Sequence, residues 1–265
     1  MIGIFDSGVG GLTVAKEVFK YLPEYQIIYF GDTARLPYGT KGADFVKKYS
    51  GKITEWLLAK NAKIIVIACN TSSAWASDFL REQYKDVPIF DMISFAAKDV
   101  AAATKNKKVG IIGTPGTVKS KAWANELKKI DPKLKIYSQA CPLFVPMVEM
   151  GFTKGAVAEK ITKEYLKKIK ANNVDVLVLA CTHYPLLENV IRKVMGKKVK
   201  IINPAESTAK KIKEFLKNNP ELEKEIQKGS GHEFYFSDDP YDLEKIGHLC
   251  FKKEIKPIIG DPFNG

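Results

Sequence analysis

The sequence of 265 residues predicts an α/β fold of two pseudo-symmetric parallel-sheet domains that face each other across a central cleft. Short apolar runs alternate with helical patterns along the chain, which is typical of parallel sheets whose strands are buried on both faces. Two of these runs, Ile64–Ile67 and Val176–Leu179, are each followed by Ala-Cys and then by small polar residues. Each half is therefore expected to present one cysteine at the carboxyl end of a strand, the edge where α/β sheets bind ligands.

The beginnings of the two halves are also alike. Val109–Thr117 parallels Ile2–Gly10, since each stretch is a short apolar strand pattern followed by a turn that contains glycine. The number of residues between Gly3 and Gly110 is nearly the same as the number between Cys69 and Cys181. We therefore expect an N-terminal α/β domain of residues 1–95 plus 208–265, and a second α/β domain of residues 96–207.

The first half is predicted to contain four strands and four helices. A glycine turn at 8–11 separates the first strand from the first helix, and Pro23 ends that helix. The apolar residues between Val46 and Leu57 recur at helical spacing, which indicates a helix with one buried face. The predicted strands span 2–6, 26–30, 64–67 and 87–90, and the predicted helices span 12–22, 46–57, 73–84 and 94–103.

The second half follows the same alternation. A turn-rich segment at 141–149 is expected to lead into a short helix, and 203–207 is expected to be a crossover back to the first domain. The predicted strands span 109–112, 135–140, 176–180, 199–202 and 233–237, and the predicted helices span 120–129, 156–171, 186–195, 208–228 and 240–250.

The formal net charge is +12, from 42 basic and 30 acidic residues. Most of the basic residues are lysines scattered over helical segments, which favours a solvated surface over a nucleic-acid site. No apolar run is long enough to span a membrane, and the start of the chain lacks a basic leader segment. We expect a cytoplasmic protein that binds neither nucleic acid nor membrane.

The cysteines and histidines do not form a metal-ligand pattern. No two of Cys69, Cys141, Cys181 and Cys250 are spaced as C-x-x-C, and the three histidines supply no cluster of four ligands. The glycine turn at 8–11 resembles a dinucleotide fingerprint only loosely, because its third glycine is misplaced. We therefore expect no metal and no cofactor.

Two thiols that meet in one cleft suggest general acid–base chemistry. One thiol would remove a proton from a stereocentre, and the other would return a proton on the opposite face. A helix N-terminus after Cys69 is expected to lower the pKa of its thiol. A cysteine hydrolase, with His183 as the base, would need only one of the thiols. A noncatalytic amino-acid-binding module is a third possibility.

Several polar residues are expected at the same strand ends. Asp6 and Ser7 follow the first strand, and Asp6 could bind a substrate ammonium or support a thiol. Helix capping by Asp6 is the weaker interpretation, because the glycine turn intervenes. Glu149 and His183 are either rim residues of the site or surface and capping groups. The donors suited to the carboxylates of a small dicarboxylic amino acid are Asn70, Thr71, Thr114, Thr117 and Thr182.

Four long motifs closely resemble bacterial glutamate racemases, members of the aspartate/glutamate racemase family. They are Ile2–Thr13, Gly31–Gly39, Ala68–Ser73 and Ala180–Leu186, and the shorter stretches 113–117 and 203–205 also match. The resemblance implies an isomerase, a cofactor-independent racemase that interconverts L- and D-glutamate. It also implies a role in peptidoglycan biosynthesis, and so in cell wall biogenesis and cell shape, and a homodimeric assembly. An aspartate or broad-specificity amino-acid racemase of the same fold is the alternative.

The resemblance also implies roles for individual residues. Cys69 resembles the base that deprotonates D-glutamate, and Cys181 the base that deprotonates L-glutamate. Asp6 resembles an auxiliary group beside Cys69, and His183 one beside Cys181. The residues that resemble the family's substrate-binding set are Ser7, Pro37, Tyr38, Gly39, Asn70, Thr71, Thr114, Thr117 and Thr182, with Glu149 at the edge of the site.

Overall fold

Parallel strands and helices alternate through the computed structural model, which describes residues 1–240, 243–251 and 255–263. In these ranges every named strand pairs in parallel, as the continuous apolar runs predict. The described strands are Ile2–Asp6 (β1), Ile27–Gly31 (β2), Ile64–Ile67 (β3), Ile89–Asp91 (β4), Lys108–Gly113 (β5), Lys135–Ala140 (β6), Val176–Ala180 (β7), Lys200–Ile202 (β8), Glu233–Phe236 (β9) and Pro257–Ile259 (β10).

Helices follow most of the strands and cover the faces of the sheets. Short 3-10 turns at Thr33–Arg35, Tyr38–Thr40 and Tyr184–Leu187 interrupt the connections. The described helices are Leu12–Tyr21 (α1), Ala43–Ala59 (α2), Asn70–Gln83 (α3), Ala96–Ala103 (α4), Pro115–Ser120 (α5), Ala122–Ile130 (α6), Phe144–Glu149 (α7), Ala156–Ala171 (α8), Glu188–Met195 (α9), Pro204–Asn218 (α10), Pro220–Glu225 (α11) and Leu243–Phe251 (α12).

The strand order repeats between the two sheets. The first sheet has the order β10-β9-β2-β1-β3-β4, and the second has the order β6-β5-β7-β8. Strands β2-β1-β3-β4 therefore correspond one by one to β6-β5-β7-β8. This repeat confirms the predicted fold class, and it makes the carboxyl ends of β3 and β7 equivalent positions.

A glycine stands at the same place in the first strand of each sheet. A Cβ on Gly3 would lie 2.9 Å from Ala62 Cβ, and a Cβ on Gly110 would lie 2.9 Å from Ile169 Cγ2 and 3.0 Å from Leu177 Cδ1. The two distances of 2.9 Å are too short for a real Cβ contact, and the third is tight. The glycines therefore let neighbouring side chains cross over the strand.

The central strands are buried on both faces. Every residue of β1, β2, β3 and β7 is buried, and one apolar cluster includes Ile4 of the first sheet, Leu179 of the second sheet and Ile212 of α10. Burial of a large aliphatic side chain stabilises the folded state by about 1.5–3 kcal/mol. This shared cluster helps to hold the strand ends of the two sheets in place.

The starts of α3 and α10 differ from the sequence prediction and are explained by their caps. Helix α3 begins at Asn70 rather than near 73, because Cys69 is its N-cap and the Cys69 sulfur accepts a hydrogen bond from Ser72 N at 3.5 Å. The expected crossover at 203–207 is instead the first turn of α10, capped by Asn203 Oδ1, which accepts from Ala205 N at 3.1 Å. Thiols are unusual caps, and the first of these starts is therefore hard to predict.

Other predicted boundaries also move. The helix expected at 120–129 is two helices, α5 and α6, separated by Lys121 in a left-handed conformation at φ 58°. The helix expected at 208–228 ends at Asn218, and Pro220 begins α11. Strand β10 was not predicted. Part of the predicted helix at 240–250, residues 241 and 242, lies outside the described residues.

The strands of the second sheet are contiguous in the chain. Strands β5 to β8 lie between residues 108 and 202, and the strands of the other sheet lie before and after that segment. Helix α10 runs unbroken across residue 207, and the proposed boundaries at 95 and 207 stay a prediction. None of the helices in the described ranges combines the length and the apolar character that a bilayer span requires.

Replacing Gly110 by alanine should destabilise the second sheet. The added methyl group would overlap Ile169 and Leu177, and overpacking of this kind costs about 1–3 kcal/mol. Urea unfolding should show a lower midpoint with an unchanged slope. Gly260→Ala is the control, because open space surrounds that position. An unchanged midpoint for Gly110→Ala would contradict the close packing.

Candidate active site

A cavity at the carboxyl ends of the two sheets is lined by both Cys69 and Cys181. Only about 30 Å³ of it is open to the centres of water-sized molecules, so the cavity is narrow. Cys69 directly follows Ala68 at the end of β3, and Cys181 directly follows β7. Each cysteine is only 6% exposed. The other lining residues are Ser7, Gly8, Leu36, Pro37, Tyr38, Gly39, Asn70, Thr71, Thr114, Val145, Glu149, Thr182 and His183.

The cavity contains most of the residues that the sequence singled out. Asp6 and Thr117 do not line it, but both are buried behind lining residues. Gly8, Leu36 and Val145 line it and were missed. Leu36 and Val145 are apolar and carry no chemical signal, and only their position within the predicted loops could have suggested them. Gly8 directly follows Ser7 and belongs to the predicted glycine turn at 8–11.

Cys69 is surrounded by the first strand and by its own helix. Its sulfur accepts a hydrogen bond from Ser72 N and lies 3.7 Å from Ser7 Oγ. Asp6, fully buried behind this corner, accepts from Gly11 N at 3.0 Å through Oδ2. Gly11 is the N-cap of α1 and the helix has no side-chain cap, so Asp6 binds the backbone just before the helix and is not its N-cap, in agreement with the sequence analysis. Its Oδ1 atom has no hydrogen-bond partner among the described residues.

Cys181 has a different set of neighbours. Its sulfur lies 4.0 Å from Nδ1 of His183, which is 5% exposed. On the other side of the imidazole, Nε2 lies 3.2 Å from Oε1 of Glu149. This contact is an ion pair rather than an aligned hydrogen bond, since Nε2 has no acceptor with good geometry in the described part of the chain. Glu149 is the last residue of helix α7. Just before α7 begins, Tyr184 OH donates to Cys141 O at 2.9 Å.

Hydroxyl groups join the two halves beside the cavity. Thr71 Oγ1 lies 2.9 Å from Thr114 Oγ1 and 3.2 Å from Thr117 Oγ1. Thr13 Oγ1, on α1, donates to Thr182 O at 2.8 Å, just beyond β7. These contacts link the start of each half to the cysteine loop of the other. Thr117 therefore supports the lining threonines rather than lining the cavity itself.

The loop that carries Pro37, Tyr38 and Gly39 is anchored by a buried carboxylate that the sequence did not single out as a site residue. Asp32, fully buried, accepts from Tyr38 OH at 2.5 Å and from Arg35 Nη1 at 2.7 Å. Ser237 Oγ, after β9, donates to the same carboxylate at 2.8 Å. The position of Asp32 in the Gly31–Gly39 motif was the available signal.

Comparisons with known proteins agree with this geometry. The Asp/Glu/hydantoin racemase family profile matches residues 13–212. A glutamate racemase from Geobacter metallireducens is 44% identical over 247 residues, which is 93% of this chain and 91% of that protein. The chain belongs to the Asp/Glu/hydantoin racemase family.

Solved structures show the same relationship. A glutamate racemase isoform from Bacillus anthracis superposes with a TM-score of 0.93 at 34% identity, covering 99% of this chain and 97% of that one. A glutamate racemase from Francisella tularensis, in complex with D-glutamate, has a TM-score of 0.88 at 37% identity and covers 97% and 96%. The protein is therefore a racemase, an enzyme of the isomerase class.

The two cysteines of this racemase lie in different electrostatic environments. Burial, assisted by the charge of Asp6, raises the pKa of Cys69 to about 12. Burial also raises the pKa of Asp6 to about 6, against the opposing effect of His183. Burial works to lower the pKa of His183, but its contacts with Cys181 and Glu149 outweigh this and raise it to about 10.

The pKa of Cys69 overturns the expectation from helix geometry. The Ser72 N–H and the Ser7 hydroxyl favour the thiolate, as a helix N-terminus should. Removal of the thiol from water has the larger effect, so the pKa rises. Among the described residues, no group of three or more His, Cys, Asp or Glu side chains could hold a metal ion.

Glu149→Gln should lower the pKa of His183. In the wild type, the imidazole should stay protonated through neutral pH and titrate near a pKa of about 10, because Glu149 and Cys181 favour its positive charge. Loss of the carboxylate removes one of these attractions. NMR titration of ¹³C- and ¹⁵N-labelled histidine would measure the change directly.

The matched control is Glu188→Gln, which removes a surface carboxylate that pairs with Arg192 instead. It should leave the His183 titration unchanged. A His183 pKa near 6.5 that does not respond to Glu149→Gln would show that the ion pair does not hold the imidazolium.

Proposed function

We propose that this racemase interconverts L- and D-glutamate by proton transfer at Cα between Cys69 and Cys181. The observation that supports the proposal is that both thiols line one cavity from equivalent positions in the two halves. A substrate held between them would expose opposite faces of its Cα to the two sulfurs. The substrate is suggested by the glutamate racemases among the relatives and by the D-glutamate bound to one of the structural neighbours.

The proposed reaction conserves protons within the site. In the L-to-D direction, the Cys181 thiolate takes the Cα proton of L-glutamate and becomes a thiol. The electron pair left on Cα is delocalised into the adjacent carboxylate. The Cys69 thiol then gives its proton to the opposite face, which forms D-glutamate and a Cys69 thiolate. The D-to-L direction runs the same steps in reverse.

The Cα proton is weakly acidic, and the cavity must therefore stabilise negative charge. Asn70, Thr71, Thr114 and Thr182 line it with hydroxyl and amide groups that can donate to the substrate carboxylates. Fixed donors in a site largely closed to water stabilise charge more strongly than donors in bulk solvent do. Ser7, Pro37, Tyr38 and Gly39 complete the proposed binding set on the N-terminal side.

The auxiliary residues would set the two thiols in opposite protonation states. The buried carboxylate of Asp6 and the low exposure of Cys69 favour a neutral thiol there. A protonated His183, held by Glu149, lies beside Cys181 and would stabilise a thiolate. In this arrangement the free enzyme is prepared to take a proton from L-glutamate.

Alkylation at pH 8 should therefore favour Cys181 over Cys69. The two cysteines are equally exposed, and the raised pKa of Cys69 leaves very little of its reactive thiolate at pH 8. We expect iodoacetamide to modify Cys181 at least about tenfold faster, as measured by peptide mass spectrometry over time. Faster or equal modification of Cys69 would contradict the assigned protonation states.

The product of the L-to-D direction would supply D-glutamate for peptidoglycan, and so for cell wall biogenesis. We also propose that the racemase works in the cytoplasm as a homodimer, as the resemblance to bacterial glutamate racemases implies. Exposed apolar side chains lie at both ends of α7: Leu143 before it, and Met150 and Phe152 after it. A subunit contact there would cover them.

Deuterium incorporation tests the two-thiol reaction most directly. The purified protein should convert L-glutamate to D-glutamate in D₂O without added pyridoxal phosphate or metal. Deuterium should appear first at Cα of the product, while the remaining L-glutamate still carries protium, because different thiols act on the two faces. Cys69→Ser and Cys181→Ser should each lower kcat by about 10²–10⁴-fold.

Cys250→Ser is the matched control, since this buried cysteine belongs to α12 and does not line the cavity. It should retain wild-type turnover. Equal early deuteration of substrate and product would indicate a single base. Exchange with aspartate but not with glutamate would change the substrate assignment, and no exchange with any amino acid would refute the proposed reaction.

A further inference from the structure

We propose that Trp123 is a positioning residue that orients the side-chain amide of Asn70 so that its NH₂ group faces the substrate. This inference deepens the proposed function and rests on it. Asn70 is the first residue of α3, directly after Cys69, and lines the cavity. Trp123 lies on α6 in the other half of the chain, and its Nε1 donates to Asn70 Oδ1 at 3.4 Å.

The indole can bind only one end of the amide. Its N–H is a donor and has no acceptor lone pair, whereas an asparagine amide has an accepting oxygen at one end and a donating NH₂ at the other. The two ends have almost the same shape, so the hydrogen-bond network decides which one points where. If the amide were flipped, two donors would face each other.

The opposite end of the amide is thereby left for a ligand. Asn70 Nδ2 donates to no protein group in the described ranges, and it is not among the fully buried atoms without a partner. A carboxylate can only accept hydrogen bonds, so an NH₂ group that faces the cavity suits it and an amide oxygen would repel it. The Trp123 contact therefore selects the amide orientation that binds an amino acid.

Trp123 is held too firmly to follow a rotation of Asn70. Its side chain is 2% exposed and belongs to an apolar cluster with Ala96, Val100, Val109 and Leu127. These neighbours come from α4, α6 and the second sheet. An indole fixed in this cluster offers its N–H at one place, and Asn70 has to turn its oxygen towards it.

The indole NMR signals test the contact without any use of activity. The sequence contains Trp56, Trp75 and Trp123, and Trp123→Phe assigns the third signal in a ¹H–¹⁵N spectrum. Asn70→Ala should shift the Trp123 signal and make its N–H exchange faster with solvent. The Trp56 signal should not respond. An unchanged Trp123 signal in Asn70→Ala would overturn the proposal, whether or not the protein racemises glutamate.

Kinetics test the consequence for the substrate. Trp123→Phe should raise KM for both glutamate enantiomers by about 5–10-fold, the effect of one hydrogen bond, with kcat within about twofold of the wild type. The enantiomers have equal free energies in water, so kcat/KM must fall equally for both. Trp75→Phe is the matched control, because the Trp75 indole N–H is buried without an acceptor among the described residues.

A double-mutant cycle separates orientation from packing. If Trp123 acts through Asn70, Trp123→Phe should raise KM no further in an Asn70→Ala background. An equal rise in both backgrounds would show a packing effect and overturn the proposal. Should Trp123→Phe unfold the chain, 3-benzothienyl-alanine at position 123 keeps the shape and replaces the N–H by sulfur. A wild type that does not racemise glutamate would refute the proposed function, while the NMR result would still decide the contact.

Discussion

The close approach of the two halves at Gly10 is the constraint on which the cavity depends. A Cβ at Gly10 would lie 2.5 Å from atoms of His183 and from Thr182 Oγ1, and a Cβ at Gly39 would lie 2.5 Å from Thr114 Cβ. Glycine at both places lets the backbone of the N-terminal half rest against side chains of the other half. The hydroxyl contacts beside the cavity form only when the two halves lie this close together. The same closeness lets both cysteines line one cavity.

Symmetry in the backbone is combined with asymmetry in charge. Strands β3 and β7 hold equivalent positions and lead into Cys69 and Cys181, but the residues around the two sulfurs differ. Cys69 accepts from Ser72 N and donates to Ser7 Oγ, with a buried carboxylate behind them, whereas Cys181 has an imidazole paired with Glu149. Inversion of a stereocentre by two thiols requires this combination. Each sulfur must be able to reach its own face of the Cα atom, and one must be a thiolate while the other is a thiol.

Features that depend on local pattern could be predicted from the sequence. The buried strands, the repeat and the strand-end cysteines follow from apolar runs and spacing, and most of the lining residues belong to the motifs beside them. Features that depend on distant contacts could not. Strand β10 has exposed side chains and forms only by pairing with β9. Leu36 and Val145 line the cavity through loop geometry, and Trp123 reaches Asn70 from a helix in the other half.

The wrong prediction of a lowered pKa for the Cys69 thiol shows how helix capping and burial act on a pKa in opposite directions. A sulfur that caps a helix receives the donors that favour a thiolate, and that rule alone predicts a lowered pKa. The same cap is buried between two sheets beside Asp6, and the loss of water raises the pKa instead. In a two-thiol racemase, two thiolates would leave no acid to return a proton. In the L-to-D direction, burial of Cys69 therefore fits its proposed task better than an activated thiolate would, since the reprotonation that follows proton transfer to Cys181 needs a neutral thiol on the opposite face.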